Sequence, residues 1–163
     1  MITSRETLFK WTAYALCAAV LLFLRALLLG SLTFWDVLPF FPPVILACVA
    51  SLEEAPSAAI FGIAFGALCD LIYPAPLPCL YTIVFTVSAI LTAILAKSVI
   101  QGGFLRALAG TLLTFSVLSF FHVLTIAPSF GAALSLGARE ALVSCPLLVC
   151  YPLFAGIRRF FTF

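Results

Sequence analysis

From Ala55 to Ala96 the sequence carries a single charged residue, Asp70. A stretch of that kind cannot form the surface of a water-soluble domain. Only 9% of the 163 residues are charged and the mean hydropathy is +1.30, whereas soluble domains carry about 25% charged residues. At about 20 residues per crossing, the chain has room for five or six membrane helices and no separate soluble module. The expected fold class is all-α. Residues 1–163 are expected to form one integral membrane domain, a polytopic protein in contact with the lipid bilayer.

Apolar runs and their breakers divide the chain. Helix 1 is expected over Trp11–Leu29, closed by Gly30 and Ser31. It follows Arg5 and Lys10 like a signal peptide, but it is too long for one and reads as uncleaved. The aromatic, proline-rich stretch Thr33–Pro43 suits a membrane interface. Helix 2 is expected from about Pro42 to Glu54, helix 3 from Pro56 to Tyr73 and helix 4 from Leu77 to Ala96. Helix 5 is expected over Phe104–Ile126, and a last helical region over Ala132–Phe160, bent by Gly137, Pro146 and Pro152. Helix 2 is short for a crossing, but charge argues that it crosses. With six crossings and the N-terminus inside, Arg5, Lys10, Lys97, Arg106, Arg158 and Arg159 all face the cytoplasm, as the positive-inside rule requires. These residues are topology marks, and the net charge of +2 gives no sign of a nucleic-acid partner.

The topology places Asp70 near the outer end of helix 3. Ala58, Gly62, Gly66 and Asp70 follow one another at i, i+4 spacing, forming a ridge of small residues that ends in a carboxylate. Such a ridge packs helices or docks a partner, because small residues let backbones approach closely. An aspartate is short and sits badly near a helix C-terminus, so a cation is expected beside it. Arg25 and Arg139 are the candidates, and with His122 they complete an expected outer-leaflet polar cluster of Arg25, Asp70, His122 and Arg139. Glu53 and Glu54 are expected in a solvated inner turn. Ala15 and Ala19 form a second pair of small residues on helix 1.

Catalytic motifs are missing. The aspartates are Asp36, in an expected outer loop, and Asp70, so a paired-carboxylate protease site has no partner for Asp70. His122 is the only histidine, too few ligands for a metal site. No phosphate-binding loop or dinucleotide fingerprint is present. The six cysteines lie in apolar segments without a CxxC pair and read as packing residues, with Cys69 and Cys79 near enough in sequence to meet across a turn. No catalytic residue, cofactor or metal is expected.

The run "AAIFGIAFGALCDLIYPAPLPCLYTIVFTVSAILTAILAKSVI", Ala58 to Ile100, resembles the central region of the rod shape-determining MreD family. The shared pattern is a glycine-spaced helix ending in G-x-x-x-D-L, here Gly62, Gly66, Asp70 and Leu71, then an outer turn and a long apolar helix. The prolines before helix 2 (Pro42, Pro43) and the proline-containing last helix closed by Arg158 and Arg159 fit as well. The family usually has glycines in the turn, where this chain has Pro74, Pro76 and Pro78. The resemblance implies six transmembrane helices in a bundle similar to that of the S components, in the bacterial inner membrane with both termini cytoplasmic. It implies a non-catalytic part of the cell-elongation machinery that binds an MreC-like bitopic protein and supports lateral peptidoglycan synthesis. MreB and wall-synthesis enzymes would be direct or indirect partners. The alternative is a substrate-binding S component of an energy-coupling-factor vitamin transporter, with the outer polar cluster lining a pocket and Ala15 and Ala19 against a coupling subunit.

Overall fold

The computed structural model describes residues 4–28, 38–74, 77–98, 102–125 and 130–161, and these residues are helical apart from short turns. The helices are α1 (Ser4–Leu28), α2 (Pro42–Leu52), α3 (Ala55–Ile72), α4 (Leu80–Ser98), α5 (Gly103–Thr125), α6 (Phe130–Ser144) and α7 (Tyr151–Phe161). A 3₁₀ turn over Cys145–Cys150 joins the last two. The expected end residues Leu29 and Ile126, and the outer loop with Asp36, lie outside the described residues. Helix 4 begins at Leu80, later than expected, because Pro78 and Cys79 belong to the turn.

Among the described residues, five helical segments are long and apolar enough to cross a membrane, and the last of these, Ser135–Phe161, includes the 3₁₀ turn. Pro146 causes that turn, since it has no N–H to give the preceding helix and its ring clashes with the carbonyl four residues back. The sixth apolar helix, α2, differs. Its 11 residues reach about 16 Å, well short of the roughly 30 Å hydrocarbon core. Every one of them is buried, so α2 meets protein where the other helices meet lipid. Pro42 and Pro43 fit its first turn, where their missing N–H groups are no loss. Phe40, just before α2, packs on Tyr73 and Tyr81 at ring distances of 5.4 and 5.9 Å, at the end of α3 and the start of α4. Glu53, just after α2, reaches Lys10 and Tyr14 near the start of α1. The α2 segment therefore connects the two polar ends of the bundle.

Those contacts define an end rich in charge. Lys10 Nζ lies 2.8 Å from Glu53 Oε2, and Tyr14 donates to Glu53 Oε1 at 3.0 Å. Lys97, at the end of α4, meets Glu54 at 3.0 Å, and Arg158 of α7 lies within electrostatic reach of Tyr14 and Glu54. The start of α1 and the end of α7 thus share one end of the bundle. Of the two glutamates expected in a solvated turn, only Glu54 is exposed. The Glu53 side chain is 8% exposed, because Lys10 and Tyr14 close over it and satisfy both oxygens. The hydrogen bond and charge of Lys97 hold the Glu54 carboxyl below the usual carboxylate range. A depressed carboxylate contributes stability above its unfolded pKa and loses it as pH falls through the folded value. Solvent screening makes that contribution small here.

Candidate functional site

The ridge on α3 faces α4. Ala58, Gly62 and Gly66 are buried. A Cβ placed on Gly66 would lie 2.6 Å from Thr82 Cα and 2.8 Å from the Tyr81 carbonyl oxygen. One on Gly62 would lie 2.9 Å from the Phe85 carbonyl oxygen and 3.0 Å from Thr86 Cα. These neighbours are backbone atoms, so the two helix backbones touch, a packing that only glycine permits. Aromatic rings flank the seam, with Phe61 on Phe65 at 5.4 Å and Phe65 on Phe85 at 6.0 Å.

The carboxylate at the end of the ridge joins the same seam. Asp70 Oδ1 accepts the Tyr81 N–H at 2.9 Å. Asp70 Oδ2 accepts the Thr82 N–H at 3.0 Å and the Thr82 hydroxyl at 2.6 Å. Tyr81 and Thr82 are the second and third residues of α4, and their N–H groups have no partner within the helix. The local sequence offers no cap. Cys79 precedes the helix with φ 61°, in the left-handed region, and Pro78 has no N–H. Asp70 therefore supplies from the neighbouring helix the oxygens that a serine or aspartate cap usually provides. The positive end of the α4 dipole and three hydrogen bonds satisfy the charge.

The expected partnership of Asp70 with Arg25 or Arg139 is corrected accordingly. Neither arginine forms an ion pair with Asp70 among the described residues. Asp70 needs no cation because α4 presents its N-terminus where α3 presents its C-terminus. The guanidinium of Arg25 lies over the Tyr73 ring, 5.7 Å from its centre. It also makes long 3.4 Å hydrogen bonds to the Tyr73 hydroxyl and the Pro39 carbonyl. Burial pushes the Tyr73 phenol above its ordinary value against the opposing effect of Arg25. The nominal outer cluster thus separates. Asp70 holds α4, and Arg25 holds Tyr73 and the chain before α2. His122 on α5 is half-buried and Arg139 on α6 is exposed, and neither hydrogen-bonds Asp70 or Arg25 among the described residues.

Sequence reasoning reads Glu140 as an interfacial partner of Arg139 and does not foresee its place, half-buried on α6 and within electrostatic reach of Tyr81. It also missed Ser144, whose hydroxyl accepts the Phe40 N–H at 3.0 Å and ties the α6 end to the start of α2. Neither residue belongs to a spacing pattern that would have exposed it. The remote cap did leave a sign, a helix starting after Pro-Cys with no Ser, Thr, Asp or Asn at its cap position. All six cysteines are free thiols, Cys69 and Cys79 included. No group of three or more His, Cys, Asp or Glu side chains is placed to hold a metal among the described residues.

Besides an apolar cavity of about 380 Å³ between α1 and α7, two lateral cavities lie between helices. One, of about 430 Å³, runs between α1 and α3, with Ala15, Ala19 and Ala64 in its floor and Trp11, Phe61 and Leu68 in its walls. The other, of about 460 Å³, lies between α5 and α6. Its hydroxyls, Ser116 and Ser119, already donate to Leu112 and Phe115 carbonyls of their own helix at 2.8 Å. Arg25, Asp70, His122 and Arg139 line neither cavity. Comparison of the chain with protein-family models, curated proteins and solved structures gives no match.

Proposed function

We propose that this chain is a non-catalytic, MreD-like component of the bacterial cell-elongation machinery that holds an MreC-like bitopic partner in the membrane. One observation carries the reading: both Asp70 oxygens are taken up by α4 donors. The most unusual ionisable residue in the chain thus serves to join two helices, as a scaffold needs, and among the described residues no carboxylate hydrogen-bonds it. The groove between α1 and α3 supplies the partner site. It lies within two membrane-crossing helices, it is apolar, and its alanine floor lets a foreign helix backbone come close. MreB and wall-synthesis enzymes are reached directly or through that partner. A vitamin site would need several convergent polar groups, and the walls of both lateral cavities offer few. Ala64→Leu, which fills the groove floor from an exposed position on α3, should leave the folded yield unchanged and lower recovery of the bitopic partner several-fold. Recovery equal to wild type would remove the groove from the reading.

The orientation belongs to the same proposal. The charge-rich end with Lys10, Lys97 and Arg158 is placed in the cytoplasm of the bacterial inner membrane, with both termini on that side. Cys79 is exposed at the opposite end of α4 from Ser98. With the remaining cysteines replaced, a membrane-impermeant maleimide added to whole cells should label Cys79 and spare a Ser98→Cys probe. The reverse pattern would invert the topology.

A further inference from the structure

The charge-rich end contains a cavity that the scaffold reading does not use. It has a volume of about 550 Å³ and is lined by Leu52, Gly103, Phe104, Tyr151, Arg158 and Arg159. Unlike the two lateral cavities described above, it is lined by charged side chains, Arg158 and Arg159. Arg106, Arg158 and Arg159 all lie within electrostatic reach of the Tyr151 hydroxyl. That hydroxyl sits against Gly103, the first residue of α5, where any Cβ would collide with it. Phe104 packs edge-on to the Tyr151 ring at 6.2 Å and fixes its direction.

We infer that this cavity binds a phosphate group, of the kind carried by anionic membrane lipid headgroups. The Arg159 guanidinium can offer phosphate oxygens its paired N–H donors, and Arg158 adds positive charge to the same wall. The Tyr151 hydroxyl is a further donor, and the first amides of α5 add positive potential, since the first bond of that helix is Arg106 N–H to Gly102 O at 3.1 Å. Leu52 and Phe104 give the apolar side on which glycerol and acyl carbons would rest. Basic cavities between helices at the cytoplasmic face suit such headgroups. The site does not depend on the identity of any protein partner.

The test uses the full chain in a neutral detergent, with native mass spectrometry to count retained lipid. Phosphatidylglycerol is compared with diacylglycerol of the same acyl chains, and inorganic phosphate is added as a competitor. Phosphatidylglycerol should be retained in preference to diacylglycerol. Arg159→Gln should weaken its retention about ten-fold, the loss of one charge-assisted contact. Tyr151→Phe, which removes only the hydroxyl, should weaken it a few-fold with an unchanged size-exclusion profile. Lys97→Gln, at the same end but outside the cavity, should leave it within about two-fold. Displacement by millimolar inorganic phosphate would assign the site to free phosphate, and resistance to displacement would assign it to the lipid. Either outcome with the arginine dependence supports the site. Equal retention of diacylglycerol, or equal losses in Arg159→Gln and Lys97→Gln, would overturn it.

Discussion

Gly66→Leu should abolish the folded protein. A Cβ alone at this position meets Thr82 Cα at 2.6 Å and the Thr82 nitrogen at 2.9 Å. Overpacking usually costs about 1–3 kcal/mol, because side chains can turn aside. Here the obstructing atoms are backbone in the first turn of α4, so relief requires α3 and α4 to separate. Separation also withdraws Asp70 from the Tyr81 and Thr82 amides, and the effect exceeds that of packing alone. The expected result is a monodisperse peak reduced at least about ten-fold in fluorescence-detected size exclusion, a change of roughly 1.4 kcal/mol or more. Gly66→Ala should fall between the two. Gly131→Leu, where a Cβ meets nothing within 4 Å, is the control and should keep its peak. A wild-type profile for Gly66→Leu would mean that the α3–α4 seam is not closed as described.

Asp70→Ala should be the second most damaging change, for a different reason. It leaves two backbone N–H groups and the Thr82 hydroxyl without their acceptor in part-buried surroundings. A fully buried unsatisfied group costs about 1–3 kcal/mol, and these three are part-buried and cost less each, so a total loss of about 2–4 kcal/mol is expected in thermal or denaturant unfolding. Asp70→Asn keeps one carbonyl acceptor and should lose about half as much. The partner choice separates a helix cap from an ion pair. Thr82→Val should couple to Asp70→Ala, so that the double variant loses less than the sum of the singles. Arg139→Gln should be additive with Asp70→Ala within about 0.5 kcal/mol. Rescue of Asp70→Ala by removal of either arginine would restore the ion-pair explanation and contradict the hydrogen bonds to α4.

Much of the fold was legible because the membrane imposes simple rules. Apolar runs closed by Gly, Pro and charge placed the helices within a few residues, except that α1 begins at Ser4 and not at the expected Trp11 because the polar first turns are helical too, and the i, i+4 spacing of Ala58, Gly62 and Gly66 placed a flat face on α3. Two features were not legible for physical reasons. The enclosure of α2 is a property of its neighbours, since an 11-residue apolar helix reads the same whether lipid or protein surrounds it. The partner of Asp70 was hidden because backbone amides have no letter in the sequence. Reasoning from side chains alone saw an unpaired anion and looked for an arginine, while the positive group was the start of the next helix. Glu53 was misread in the same way, because its burial depends on Lys10 and Tyr14 arriving from α1.

The proposed function puts a bitopic partner in the α1–α3 groove of a scaffold built on the α3–α4 seam. A photo-crosslinking residue at position 64, on the groove floor, tests it most directly. Ile94, exposed on α4, serves as the lipid-facing control, and crosslinked products from native membranes are identified by mass spectrometry. The expected result is one crosslinked protein with a single membrane helix and an extracytoplasmic coiled coil, obtained from position 64 and not from position 94. A transporter coupling subunit at position 64, or no protein product above that of position 94, would contradict the account.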